Sequence, residues 1–308
     1  MNADPAPAAG RFAPSPSGDL HIGNLRTALL AWLFARSTGR RFLVRMEDLD
    51  RVAVGSADRQ LADLTTLGLS WDGQVVRQSG RTLRYDRAID KLVLAGLTYP
   101  CFCTRREIRE AASAPHPDPA ADLAYSGTCR TLAAEEVTAR IAAGKPHALR
   151  LKAAVTRWSV TDVLAGEFTG TVDDFVLRRN DGVAAYNLAV VVDDAAQGVD
   201  QVVRGADLLT SAPRQAYLAS LLGHVAPRYA HVPMALNERG ERLAKRDGAV
   251  TLPEILAQGA TPARVLGVMA ASAGIAATPE PTTAARLLAG FDIASISPEP
   301  WTVRLPFG

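Results

Sequence analysis

The sequence predicts an α/β fold in which the strands of a parallel sheet alternate with glycine-stopped helices. Three observations predict it. Residues 11–36 read as a strand end, a tight Pro/Ser/Gly turn and a long apolar helix. The chain then repeats strand-like and amphipathic helical segments as far as Gly96. Chemistry-bearing residues also recur at the carboxyl ends of the predicted strands, where open parallel sheets hold their ligands.

The opening stretch is Arg11-Phe12-Ala13-Pro14-Ser15-Pro16-Ser17-Gly18-Asp19-Leu20-His21-Ile22-Gly23-Asn24, followed by a helix over 25–36. Small residues between strand and helix gather backbone N–H groups and the positive helix end at one point. That suits an anion such as a nucleotide phosphate. There is no G-x-x-x-x-G-K-[ST], so the site is not a P-loop. His21 at the helix start fits a phosphate donor and equally a helix cap, and Gly23 permits close backbone approach.

The remaining elements follow in order. Residues 40–47 form a strand that delivers Glu47 and Asp48 to its carboxyl end. A carboxylate there suits a substrate ammonium, or an ion pair with Arg45 or Arg51. Residues 57–69 and 85–96 are helices ended by glycine, with a short extended piece at 75–79 between them. Residues 148–152 form a strand, and 158–162 with 166–170 a hairpin-rich insert that runs on to 173–179. The apolar run at 186–194 fits a helix or a buried strand, which periodicity does not separate. Residues 201–208 form a strand and turn presenting Arg204, whose fork suits a carboxylate ligand or pairing with Asp200 or Asp207.

Composition narrows the class. The chain has 308 residues, 48% hydrophobic, enough for a sizeable core and too apolar for wholesale disorder. A net charge of +2 permits nucleic-acid binding without arguing for it. No apolar run is long enough to span a bilayer. Residues 1–9, rich in Ala and Pro, lack a signal-peptide pattern and read as a disordered tail. Three cysteines fit a reducing, cytoplasmic setting and a metal site better than a disulfide scaffold. Cys101 and Cys103 form a close pair, and Cys129 adds a third thiol. Zinc favours such donors, and the fourth ligand is His116 or Tyr125.

Residues 11–23 together with Arg45-Met46-Glu47-Asp48-Leu49-Asp50 resemble the glutamyl/glutaminyl branch of class I aminoacyl-tRNA synthetases. The resemblance covers about residues 10–255. It implies a Rossmann-like class I catalytic domain with a zinc-bearing insertion and a short helical C-terminal tail. His21, Gly23 and Asn24 would contact ATP, accompanied by Mg2+. Residues Arg11 to Ser15 (Arg11, Phe12, Ala13, Pro14, Ser15) would contact the amino acid, Glu47 its ammonium group, and Tyr186 and Arg204 would complete a glutamate pocket. Arg242-Leu243-Ala244-Lys245-Arg246 resembles the KMSKS loop, with Lys245 catalytic beside His21. Ala244 and Arg242 depart from that pattern, so weaker ordering of this loop is expected.

The segment with Cys101, Cys103, Tyr125 and Cys129 resembles the glutamyl-queuosine tRNA(Asp) synthetases, short paralogues whose zinc site has this pattern. That likeness implies zinc on those four residues. The implied activity is ATP-dependent activation of L-glutamate and transfer to queuosine in the anticodon of tRNA(Asp). A truncated glutamyl-tRNA synthetase, or a non-catalytic tRNA- or zinc-binding relic, are the alternatives. The expected division is 10–98 and 176–255 for the catalytic halves, 99–175 for the insertion, and 256–308 for a tail with no anticodon-binding domain.

Overall fold

The computed structural model describes residues 8–104, 106–108, 125–243 and 250–304. The chain opens with β1 (Ala9–Phe12), α1 (Ile22–Ser37), β2 (Arg41–Met46), α2 (Ser56–Thr66), β3 (Val76–Arg77) and α3 (Thr82–Leu94). β1 and β2 are buried almost throughout, as expected of parallel strands covered on both faces. α1 is apolar around most of its circumference because it lies inside the molecule rather than on it.

Next come β4 (Thr98–Cys101), α4 (Ala134–Ala142), β5 (Ala148–Leu151), β6 (Arg157–Asp162), β7 (Gly166–Thr171) and β8 (Val176–Arg178). β4, β5 and β8 form a small antiparallel sheet. β4 contains Pro100, a residue that central strands do not accommodate. Pro100 is tolerated because β4 lies at the edge of its sheet. The hairpin of β6 and β7 does not stand apart with the cysteine region. It extends the main sheet through a parallel contact between Asp162 and Tyr229. β6 alternates exposed and buried residues, the pattern of a strand with one face in water.

The chain continues with α5 (Tyr186–Gln197), β9 (Val199–Gly205), α6 (Ala212–Leu222), β10 (Arg228–Val232) and β11 (Ala235–Leu236). The ambiguous apolar run is therefore helical. It stops at Gly198, whose φ of 69° closes the left-handed cap. The seven-stranded sheet has the order β3-β2-β1-β9-β10-β6-β7. The chain leaves β1 toward β2 and β3 on one side and returns through β9 and β10 on the other. The crevice of a doubly wound sheet opens at that switch between β1 and β9.

Last come α7 (Leu252–Ala257), α8 (Pro262–Ser272), α9 (Ala284–Ala289) and β12 (Trp301–Thr302). These pack against the main core rather than hanging from it. Leu266, Met269 and Leu287 join Leu29, Leu33 and Phe34 of α1 in one apolar cluster. Arg26, 1% exposed, ties the layers: it donates to the Pro233 carbonyl at 2.7 Å, to Ser272 Oγ at 3.0 Å and to the Ser272 carbonyl at 3.1 Å. Burial pulls its pKa down to about 10, still charged at neutral pH. A second cluster lies beneath α3, α5 and α6, around Tyr85, Leu188 and Leu218.

Candidate active site and cysteine cluster

A cavity of about 890 Å³ opens at the carboxyl ends of β1, β2 and β9, against the start of α1. Its floor is the loop leaving β1. α2 holds that loop: Ser56 Oγ donates to the Gly18 carbonyl at 2.5 Å, and Gln60 Nε2 donates to the carbonyls of Gly18 at 2.6 Å and Ser15 at 3.1 Å. The Glu47 N–H donates to the Pro14 carbonyl at 2.9 Å, so the loop and the end of β2 move as one. The residues from Arg11 to Ser15, with Glu47, Tyr186 and Arg204, all line this cavity, as do His21, Gly23 and Asn24.

The charged groups sit in a buried network. Arg11 donates to both oxygens of Asp194 at 3.4 and 3.5 Å. Arg45, fully buried, donates to the same Asp194 at 2.7 Å and to Glu47 at 3.3 Å. Asp193 accepts from Tyr85 at 2.8 Å, from Gln78 at 2.9 Å and from Arg81. Burial would raise the Asp194 carboxyl, but Arg11 and Arg45 outweigh it and hold it low. Glu47 goes the other way: burial raises it, and Arg45 and Arg11 only partly oppose this. A substrate cation at Glu47 would complete that compensation.

His21 is the N-cap of α1. Its Nδ1 accepts from the Asn24 N–H at 3.3 Å, while Asn24 Oδ1 accepts from the His21 N–H at 3.3 Å. The neutral ring therefore carries its proton on Nε2. Capping and lining the cavity are compatible, since both use the helix start. At Gly23 a side chain would meet Ala235 Cβ at 2.9 Å, so glycine also serves close packing there. Asp48 does not reach the cavity lining; it accepts from the Ser79 N–H at 2.8 Å and hydroxyl at 2.7 Å. Arg204 pairs with neither Asp200 nor Asp207; Asp200 binds Arg40 at 2.8 Å and Asp207 binds Arg242 at 2.8 Å. Arg178 pairs with Asp86 at 2.7 Å, and Arg179 with Asp50 and Asp181. Ala244, Lys245 and His116 lie outside the described residues.

At the edge of the small sheet, Cys101, Cys103 and Cys129 bring their Sγ atoms within 4.8 Å of one another. The Tyr125 hydroxyl lies 3.3 Å from Cys101 Sγ and 3.5 Å from Cys103 Sγ. Burial pushes the Cys103 thiol up to about 11 and raises the Tyr125 phenol. At Cys129 burial acts in the same sense, but hydrogen bonds from the Phe102 backbone and Tyr125 hold the thiol low. The guanidinium of Arg150 lies 3.7 Å above the Tyr125 ring. Three thiols within reach of one another, with a phenol hydroxyl beside two of them, make a donor set able to hold a metal ion.

Residues 8–272 match the family model of tRNA synthetases class I (E and Q), catalytic domain. A glutamyl-Q tRNA(Asp) synthetase of Nocardia farcinica is 61% identical over 293 residues, spanning 95% of this chain and 92% of that protein. Another, of Symbiobacterium thermophilum, is 47% identical over 310 residues, spanning 96% and 95%. The chain belongs to the glutamyl-Q tRNA(Asp) synthetase family. A solved glutamate tRNA ligase of Elizabethkingia meningosepticum, in complex with its amino acid, matches with a TM-score of 0.80 at 27% identity. That match covers 96% of this chain but only 66% of the ligase.

In this glutamyl-Q tRNA(Asp) synthetase family member, the cavity is also shaped by residues of which only Arg45 and Asp194 belong to stretches singled out in the sequence. Arg45, Asp194, Gln215 and His231 support lining residues from behind, while Gln60 lines the cavity and braces its floor. The Asp193-Asp194 pair was the visible signal, two acids closing an apolar run. His231 had none.

Proposed function

We propose that this enzyme activates L-glutamate with ATP and transfers the glutamyl group to queuosine in the anticodon of tRNA(Asp). The observation that carries this is the convergence of Arg11, Glu47, Tyr186 and Arg204 on one cavity with the start of α1. Two arginines and one carboxylate complement an amino acid bearing two carboxylates and one ammonium. Glu47 takes the ammonium, and Tyr186 and Arg204 take the side-chain carboxylate. Arg11, Phe12, Ala13, Pro14 and Ser15 hold the amino acid over the loop. His21, Gly23 and Asn24 receive ATP with its Mg2+, and Lys245 neutralises the departing pyrophosphate.

The glutamate α-carboxylate oxygen attacks the α-phosphorus, forming the acyl–phosphate bond as the bond to pyrophosphate breaks. A queuosine hydroxyl then attacks the glutamyl carbonyl, loses its proton, and AMP leaves. The protein contributes positioning and charge stabilisation. Zinc on Cys101, Cys103, Tyr125 and Cys129 would be structural, stapling a region with a small apolar core. The ATP and tRNA substrates proposed here suit a cytoplasmic reaction; no helix among the described residues is long and apolar enough to cross a membrane. Residues 10–98 and 176–255 serve as the catalytic halves; of the intervening 99–175 the β6–β7 hairpin joins the main sheet, and 256–308 packs on the catalytic core.

The test is glutamate-dependent ATP–pyrophosphate exchange without tRNA, then transfer of labelled glutamate to tRNA with and without queuosine. Exchange and queuosine-dependent transfer are expected. Label on the terminal ribose would replace this reading with a truncated glutamyl-tRNA synthetase.

A further inference from the structure

Arg204 is 5% exposed, lines the cavity, and is held only by neutral acceptors among the described residues. Its Nε donates to His231 Nε2 at 3.0 Å, Nη1 to Gln215 Oε1 at 2.7 Å and Nη2 to the Leu208 carbonyl at 3.3 Å. Gln215 is itself set by donating to Asn187 Oδ1 at 3.0 Å. Arginine has five donors in a rigid fork. Three are engaged, and among the described residues its charge meets no carboxylate, unlike that of Arg11, which is paired with Asp194.

An arginine Nε always donates, so His231 Nε2 must accept and the ring proton must lie on Nδ1. Asp162 enforces this. Its Oδ2 accepts from His231 Nδ1 at 2.6 Å, and both residues are buried. Asp162 Oδ1 caps the turn after β6 by accepting from the N–H groups of Leu164 at 2.9 Å and Ala165 at 2.8 Å. The hairpin that extends the sheet is thereby tied to the cavity by a chain of two hydrogen bonds.

We propose that Asp162 and His231 are positioning residues for glutamate recognition: Asp162 fixes the His231 tautomer, and His231 aims the Arg204 guanidinium at the substrate carboxylate without neutralising it. This deepens the glutamate-pocket reading and rests on it. Neutral acceptors orient the fork and leave its full charge for the ligand, which selects an acidic side chain over an amide.

The experiment is ATP–pyrophosphate exchange with the full chain, comparing KM for L-glutamate, KM for ATP and kcat. Asp162→Asn keeps an oxygen for the Leu164 and Ala165 caps but presents an NH2 to the ring. The ring must then place its proton on Nε2, against the Arg204 Nε–H. His231→Phe removes the acceptor altogether. Both should raise KM for glutamate about 10- to 100-fold, as expected of a misaimed binding group. The ATP KM and kcat should stay within about twofold, since only ground-state binding is lost. His231→Gln, whose amide oxygen can take the place of Nε2, should recover most of the loss. A thermal melt identifies any variant that is simply unfolded, and the remaining variants then decide. Unchanged glutamate KM in these variants, while Arg204→Ala raises it, overturns the proposal. So does a fall in kcat with a parallel rise in the ATP KM, which marks a merely structural role. If Arg204→Ala itself leaves the glutamate KM unchanged, the pocket reading fails instead.

Discussion

Arg11 and Arg45 share a single buried carboxylate, Asp194, although one arginine faces the cavity and the other lies wholly inside. Asp194 thus couples a cavity-lining residue at the end of β1 to the interior of β2. Arg45 extends the coupling to Glu47. Arg11 and Glu47, opposite in sign, are thereby linked through one acid from α5, directly and by way of Arg45.

Replacing Asp194 by Ala should destabilise the fold by about 3–5 kcal/mol, because removing one member of a buried ion-paired network leaves uncompensated charge. Arg11 loses its carboxylate partner, while Arg45 keeps Glu47 and Asp193, so the effect should lie toward the lower end. Chemical denaturation of the wild type and the variant measures it. Asp194→Asn should cost less and still raise the KM for glutamate, since Arg11 is no longer drawn to one side.

Glu47 supplies a pH dependence. Burial raises its pKa above the ordinary 4.5, so on acidification it protonates earlier than an exposed glutamate. Only the ionised form holds an ammonium. The KM for glutamate should therefore be flat near neutrality and rise as pH falls through the raised value. Glu47→Gln should have a higher KM throughout and lack this added acid limb. The substrate's own carboxyl titrates equally with both enzymes, so the difference between the two profiles isolates Glu47.

Much of this arrangement was legible in the residues. The loop from Arg11 to Asn24 could be placed because a Pro/Ser/Gly turn runs straight into a long apolar helix. Arg204 was visible because it ends such a run. What holds these residues was not legible. Arg45 reaches Asp194 across 149 positions, and the acid could not be matched to it without the fold. His231 looked like any strand residue, and only its place between Arg204 and Asp162 marks it. The hairpin at 157–171 was read as local structure because pairing between β6 and β10 is non-local.

The C-terminal segment offers a test of packing. At Gly267 in α8 a side chain would lie 2.0 Å from the Glu280 carbonyl oxygen, a backbone atom that has little room to retreat. Gly267→Ala should therefore destabilise by about 1–3 kcal/mol through overpacking, despite alanine's better helix propensity. Because α8 shares a core with α1, the loss should appear in global unfolding, measured as a lower thermal midpoint. An unchanged midpoint would mean that this segment is energetically separate from the catalytic core.

The cysteine cluster makes the final prediction. Burial raises the Cys103 thiol and the Tyr125 phenol, so without a bound cation these two donors keep their protons at neutral pH. A bound cation reverses that balance by stabilising the deprotonated donors, so zinc uptake should release protons. Purified protein should carry about one zinc per chain, since the four donors surround a single centre. Chelation should lower the thermal midpoint and leave β4 less protected from hydrogen exchange, because Cys101 belongs to that strand. Tyr125→Phe keeps the ring beneath Arg150 but removes the oxygen, and it should weaken zinc retention in a competition with a coloured chelator. Equal retention by Tyr125→Phe would exclude the phenol from the donor set and leave three thiolates to hold the metal.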